Sequence, residues 1–262
     1  MKKLLSALVA VVVLGACEKK IDISLDDATE QTVVESLLRA GDTAVSIRIS
    51  KTANYFNAAA PKTVSGAGVQ FTDAAGLVHV AVEKEPGLYV AEGITSTVDG
   101  NYSLQIDENG KITNGNSYMP KPIAIDSVSY EFLDGGDFFD DTYLMSFHYQ
   151  DPPNESNFYR ILITKNDTLE ESIILSSDKF SDGQYTDETL FLDNVQLGDY
   201  IEFEMWSISE DLHNYYSTLV DALNVGGVAP GNPLTNLEGD AQLGYFGTYS
   251  YTGITDTVGG GK

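Results

Sequence analysis

Short runs in which apolar and polar side chains take turns recur along most of this chain, and that period of two leaves few folds open. Val45, Ile47 and Ile49 alternate with Ser46, Arg48 and Ser50. Val78, Val80 and Val82 alternate with His79 and Ala81, and Tyr102, Leu104 and Ile106 with Ser103 and Gln105. Successive side chains of a strand point to opposite faces, so each triplet is expected on one buried face. Glycines at Gly66, Gly68, Gly76, Gly87 and Gly100 punctuate the runs at the spacing of a β-sandwich. The fold class expected is therefore mainly β.

Met119-Pro120-Lys121-Pro122 interrupts the alternation, because proline removes a backbone donor and holds its predecessor extended. A domain boundary is placed there, giving an N-terminal β-sandwich over 33–120 and a C-terminal β-rich domain over 121–256. The later strands are more aromatic. Val128, Tyr130 and Phe132 form one, Tyr143, Met145, Phe147 and Tyr149 another, and Ile201, Phe203 and Met205 a third. Phe158 to Thr164, Ile173 to Leu175 and Thr189 to Leu192 are further runs of strand length.

One helix is expected, over 208–225. Ser207 caps it with Glu210 three residues on, Leu212, Tyr215, Tyr216, Leu219 and Leu223 recur at helical spacing, and Gly226 ends it. That stripe reads as a helix packed on a sheet, with Trp206 buried at the junction. A long loop, Val225 to Gly239, leads to a final strand around Tyr245 to Tyr251, and residues 257–262 read as a disordered tail.

The N-terminus has a different character. Lys2 and Lys3 precede a run from Leu4 to Val13 that is apolar but for Ser6; this has the layout of a signal peptide and falls short of the about 20 apolar residues a spanning helix needs. Leu14-Gly15-Ala16-Cys17 closes it with small residues ahead of the only cysteine, the pattern at which bacterial lipoproteins are cleaved and acylated. Residues 1–17 are expected to form a lipoprotein signal, cut before Cys17 with lipid added to that cysteine, and 18–32 to act as an acidic tether. Each acyl methylene contributes about 0.8 kcal/mol to membrane binding, so two or three chains hold firmly. With no other cysteine the folded part has no internal disulfide and no thiolate metal site.

The formal net charge is −24, and −26 without Lys2 and Lys3. Such a surface repels phosphate backbones, which makes nucleic acid a poor candidate partner. Attachment to a membrane would rest on lipid at Cys17 rather than on a basic face. His79, His148 and His213 fall in three different segments, none with a second histidine or a cysteine at ligand spacing, so zinc is not expected. Asp134, Asp137, Asp140 and Asp141 crowd a Gly-Gly turn; they read either as oxygen ligands for calcium or as a solvated hairpin loop, and they lack the EF-hand order. No Gly-x-Ser-x-Gly elbow and no phosphate-cradling glycine loop is present, so no catalytic or cofactor-binding residue is assigned. Tyr55, Phe56, Phe138 and Phe139, in turn contexts, are the candidate aromatic contacts.

Several segments occur in an order that resembles a known family. They are the cysteine box with Glu18-Lys19, Val33-Val34-Glu35, Ser50 to Phe56, Val64-Ser65-Gly66-Ala67, Pro86-Gly87-Leu88-Tyr89, Ile125-Asp126-Ser127, Asp151 to Arg160, and Gly244 to Ser250. Together they are similar to the Bacteroidota lipoproteins of domain-of-unknown-function family 4249. Ser36 and Asp240 depart from the expected pattern, where glycines would stand. Gly66 to Asp73 and Gly100 to Ile106 are also similar to carboxypeptidase-regulatory-like sandwiches. The resemblance implies an outer-membrane lipoprotein encoded beside TonB-dependent transporters, facing the periplasm or the cell surface, and supplies no catalytic residues. The expected function is a non-enzymatic binding or accessory component of nutrient uptake. The alternatives are a calcium-dependent hydrolase or carbohydrate-binding module, or a structural envelope protein.

Overall fold

The computed structural model describes residues 30–53, 61–136, 140–192, 194–224, 231–241 and 243–259. It is mainly β, with two sandwiches that share one sheet. In chain order the first strands are β1 (Thr32–Arg39), β2 (Ala44–Lys51), β3 (Gly68–Thr72), β4 (Val78–Val80), β5 (Val82–Glu85), β6 (Leu88–Glu92), β7 (Gly100–Glu108) and β8 (Lys111–Met119). There follow β9 (Ile125–Leu133), β10 (Thr142–Gln150), β11 (Phe158–Lys165), β12 (Thr168–Leu169), β13 (Ile174–Ser177), β14 (Tyr185–Leu190) and β15 (Tyr200–Ile208). Helix α1 (Glu210–Leu223), β16 (Leu237–Gly239) and β17 (Leu243–Thr257) complete the series.

The shared sheet has nine strands, in the order β12-β11-β15-β17-β1-β2-β6-β5 with β13 on β11. A five-stranded sheet, β16-β8-β7-β3-β4, faces one end of it, and a three-stranded sheet, β14-β10-β9, the other. Val34, Ile47, Ile49, Phe71, Leu104 and Phe246 lie in the first core, and Met145, Phe147, Tyr149, Tyr159, Ile161 and Phe203 in the second. The alternation at Val45, Ile47 and Ile49, at Tyr102, Leu104 and Ile106, and at Ile201, Phe203 and Met205 therefore buries the faces expected of it.

Strand β17 explains why one sheet serves both cores. Its first half, from Leu243 to Tyr249, runs parallel to β1, and its second half, from Tyr249 to Thr257, runs antiparallel to β15. On either side of the Pro120–Pro122 segment, Met119 lies in the first core and Ile123 in the second. Residues 237–249, assigned from sequence to the second unit, nevertheless return to the first core through Leu237, Ala241 and Phe246. β17 also continues to Thr257, past the end expected at Tyr251. The start expected for a disordered tail at 257 is corrected as well: Val258 is 1% exposed, and its backbone pairs with Gly198 and Asp199.

The other face of the shared sheet carries α1, packed on Leu37, Phe158, Trp206, Tyr245 and Tyr249. Gly247 lets the helix lie close, because a Cβ there would sit 2.7 Å from Leu212 Cδ2. The helix starts later than expected. Ser207 is the buried penultimate residue of β15, and Ser209 is the cap, its hydroxyl accepting the Leu212 N–H at 3.4 Å. Asn224 caps the other end, and the stop expected at Gly226 lies outside the described residues. Leu212 and Tyr216 are buried, whereas Leu223 is 71% exposed because the last turn runs past the sheet. Trp206 is half-buried and stacks on Tyr249 with ring centres 4.0 Å apart.

Val78, Val80 and Val82 reverse the sequence expectation: they are exposed, Val80 at 69%, while His79 and Ala81 turn inward. β4 and β5 are the edge strands of two different sheets, so their outward face has no layer above it. The inward position is fixed by a polar contact, His79 Nε2 lying 2.9 Å from the buried Asp73 carboxylate, which also accepts the N–H groups of Ala75 and Leu77.

Candidate functional site

Asp151 to Arg160 connects β10 to β11 and enters both layers of the molecule. Asp151 is fully buried at the end of β10; its carboxylate accepts the Tyr159 hydroxyl at 2.8 Å and the Gly183 N–H at 3.0 Å. Burial, and then the neighbouring Asp151 carboxylate, pushes the Tyr159 phenol far up, so it stays protonated as a donor. Asp178 accepts the Asn157 N–H at 2.9 Å and Asp182 the Asn154 N–H at 2.7 Å. One oxygen from each of these three aspartates falls within 4.8 Å of the others.

Such crowding of like charge needs an explanation, and the backbone donors supply part of it. Burial, followed by Asp151 and Asp182, raises the Asp178 carboxyl above the ordinary carboxylate range. The unfolded carboxyl therefore loses its proton first as pH rises, and stability falls between the ordinary and the raised value. Asp178→Asn keeps an acceptor for the Asn157 N–H and removes the charge. It is expected to raise Tm at pH 7 by roughly 2–4 °C, about 1 kcal/mol for a chain of this size, with the gain shrinking as pH falls toward 4. Thermal melts at pH 7 and pH 4, with calcium or chelator added, check this. A cation held by the three acids would reverse the sign, making the variant less stable in calcium.

The acids that sequence singles out as metal candidates lie elsewhere, in the turn between β9 and β10. Asp134 accepts the Gly136 N–H at 3.0 Å and Asp141 the Gly135 N–H at 3.1 Å, so both build the turn, and Asp140 is exposed. Asp137 lies outside the described residues, as do Phe138, Phe139, Tyr55, Phe56 and Cys17. Among the described residues the acids of this turn form no group of three within ligand reach, whereas Asp151, Asp178 and Asp182 do. That second group escapes a reading of the sequence because its members sit 27 and 31 positions beyond Asp151 and meet only through strand pairing.

Arg160 leaves the same segment on the opposite face. Its guanidinium lies between Trp206 and Tyr216, 5.0 and 4.3 Å from the two ring centres, and its buried Nε has no hydrogen-bond partner among the described residues. Stacking of this kind is worth about 2 kcal/mol where water is excluded. Next to it Phe158 packs on His213, whose imidazole is held neutral by burial. The segment thus locks the helix to the sheet on one side and ties the aspartates together on the other. Further along this face, a hollow of about 320 Å³ is lined by Glu35, Leu37, Arg48, Leu88 and Tyr245, with Glu35 directly opposite Arg48 across β1 and β2.

A model of the family described as a domain of unknown function, DUF4249, matches residues 18–255. The chain belongs to that family. No curated protein matches this DUF4249 chain in sequence. Among solved structures it is similar to a cytokine receptor complex, at 9% identity over 88% of this chain and 97% of that one, with a TM-score of 0.27. A two-domain fibronectin type III segment of chicken tenascin matches at 12% identity over 68% and 90%, with a TM-score of 0.23. The adhesin InvE of Yersinia pseudotuberculosis matches at 12% over 87% and 59%, also with a TM-score of 0.23. Likenesses this slight say nothing about arrangement.

The three histidines of the DUF4249 chain are in separate settings. His79 is bound to Asp73, and His213 belongs to α1 and packs on Phe158. His148 stands on the outer face of the three-stranded sheet between Ser129 and Asp187. No helix among the described residues is long and apolar enough to cross a membrane.

Proposed function

We propose that the protein is a lipoprotein anchored to the outer membrane through acylated Cys17, serving as a binding or accessory component beside a TonB-dependent transporter in nutrient uptake. The observation that carries this reading is the leader, in which a charged start, nine apolar positions out of ten and small residues end at the only cysteine of the chain. The hollow beside Tyr245, which sets a carboxylate, a guanidinium and an aromatic ring around a recess of about 320 Å³, is the place where a small ligand fits this role. A mixed-charge lining suits a zwitterionic or polar nutrient better than an apolar one.

Two measurements test it. The full-length protein should enter the detergent phase on Triton X-114 separation, and Cys17→Ser should move it to the aqueous phase; equal partitioning of the two would remove the anchor. Crosslinked membranes should then yield a TonB-dependent barrel with the wild type and none with Cys17→Ser. Normal growth on every nutrient in a deletion strain whose envelope leaks would instead favour a structural role.

A further inference from the structure

The outer face of the three-stranded sheet carries a chain of hydrogen bonds that the binding role does not use. Ser129 on β9, His148 on β10 and Asp187 on β14 all point away from Met145, Phe147 and Tyr149, which fill the core below. Ser129 Oγ lies 2.8 Å from His148 Nε2, and His148 Nδ1 lies 2.5 Å from Asp187 Oδ1. A carboxylate only accepts, so the hydrogen bond to Asp187 puts the ring proton on Nδ1. Nε2 is then the lone-pair nitrogen and accepts the Ser129 hydroxyl proton. The order of hydroxyl, imidazole and carboxylate, and the nitrogen each one meets, are those of an activated serine, an arrangement recognised by geometry rather than by sequence position.

Strand pairing builds this arrangement. His148 and Asp187 are direct cross-strand partners, as are Ser129 and Ser146. Ser146 Oγ and Thr189 Oγ1 lie 2.8 Å apart, and one of their two hydroxyl protons bridges them; with Thr189 as the donor, the Ser146 proton is free directly across from Ser129. Tyr185, 56% exposed, holds its ring within 3° of parallel to the imidazole at 6.4 Å, adding a flat apolar surface at the edge of the same face.

We propose that Ser129 and His148 are catalytic residues for hydrolytic transfer of small acyl groups from esters, with Asp187 as the positioning residue, and that the substrates are O-acylated carbohydrates. An open sheet face admits a bulky polymeric alcohol, and a sugar ring lies flat on an aromatic side chain such as Tyr185. In the first step Ser129 Oγ bonds to the acyl carbon as its proton passes to His148 Nε2. The ester C–O bond breaks, and the leaving alcohol oxygen takes that proton. In the second step water adds to the acyl carbon with its proton on Nε2, and the carboxylic acid leaves as Ser129 Oγ recovers the proton. No oxidant, metal or further reactant enters. With Thr189 donating to Ser146, the Ser146 hydroxyl is the donor to the oxyanion.

The test uses the full chain with a fluorophosphonate probe and with acetylated xylan. Peptide mapping should find the phosphonyl group on Ser129, and acetate should be released from the xylan. Both should fall at least a hundredfold in Ser129→Ala and in His148→Ala, about the size of a lost general base. Asp187→Asn should slow labelling at least tenfold at unchanged Tm, an effect that a role limited to packing would not produce. Ser127→Ala, on the same face and outside the hydrogen-bond chain, should leave both rates unchanged. All four positions lie on the outer face, so melting curves matching the wild type are expected to show that each variant is folded. Absence of label on Ser129, or labelling that survives His148→Ala or a second variant, His148→Gln, would overturn the proposal.

Discussion

Phe246→Ala is expected to lower stability by about 3–5 kcal/mol, which for a chain of this length is a fall in Tm of roughly 6–20 °C. Phe246 is fully buried near the middle of the first core, with Phe71 edge-on at 5.9 Å and Gly115 so close that a Cβ there would sit 3.0 Å from the Phe246 Cβ. Removing the ring leaves a cavity that the walls have little means to close, because Phe71, Leu104 and Ile47 are each held by their own strand pairing. The backbone of Phe246 is also engaged: its N–H bonds to Asn236 Oδ1 at 3.0 Å, and its carbonyl accepts the Asn236 side-chain amide. The loop before β17 is therefore expected to loosen with the core. Because the sheet is shared, circular dichroism and Trp206 fluorescence should move together in a thermal melt, although Trp206 belongs to the helix layer rather than to the first core. Separate transitions for the two probes would mean that the halves unfold independently.

Gly244→Ala is expected to cost about 3 kcal/mol or more. Gly244 has φ +90°, a region that a side chain rarely adopts, and a Cβ there would sit 1.9 Å from the Val34 carbonyl oxygen. Since Val34 is the strand partner of Gly244, the clash falls on the parallel ladder between β1 and β17. The chain has no side-chain rotation with which to relieve it, because the obstacle is backbone. Expression of Gly244→Ala at reduced yield, with a lower denaturation midpoint and a slope close to that of wild type, is the expected result. A midpoint equal to that of wild type would show that β1 and β17 are not paired as described.

Much of the fold is legible because one-sided burial writes itself into the sequence as alternation. Ile201, Phe203 and Met205 between Glu202 and Glu204 state both faces of β15 without any tertiary information. The same rule fails at Val78, Val80 and Val82, where the valines take the open side of two edge strands and the Asp73–His79 pair claims the inner one. Periodicity says that a face exists, and only the neighbouring layer says which face it is. The second half of β17 is hidden because Thr252, Gly253, Thr255 and Asp256 are weak strand signals; they are ordered by pairing with β15.

The chemical groups are harder to see, for a related reason. Ser129 and His148 are 19 residues apart, and His148 and Asp187 are 39. Each is an ordinary polar residue on the wet side of its own strand, and only the register of three strands brings them within reach. Asp151 is likewise separated from Asp178 and Asp182 by whole strands, whereas the crowded acids at Asp134 to Asp141 draw notice by mere adjacency. Arg160 stands in a segment conspicuous for its family resemblance, yet nothing local foretells that two aromatic rings from β15 and α1 enclose it.

The route of β17 through the shared sheet has a consequence for synthesis. A nascent chain stopped before residue 243 holds β1 and β15 with no strand between them, and both apolar interiors stay open on that side. Contacts spanning some two hundred residues form slowly, since distant segments must meet before either gains anything from the meeting. Such a polypeptide leaves the ribosome largely unfinished, and its two halves close together when the late strand slides between them.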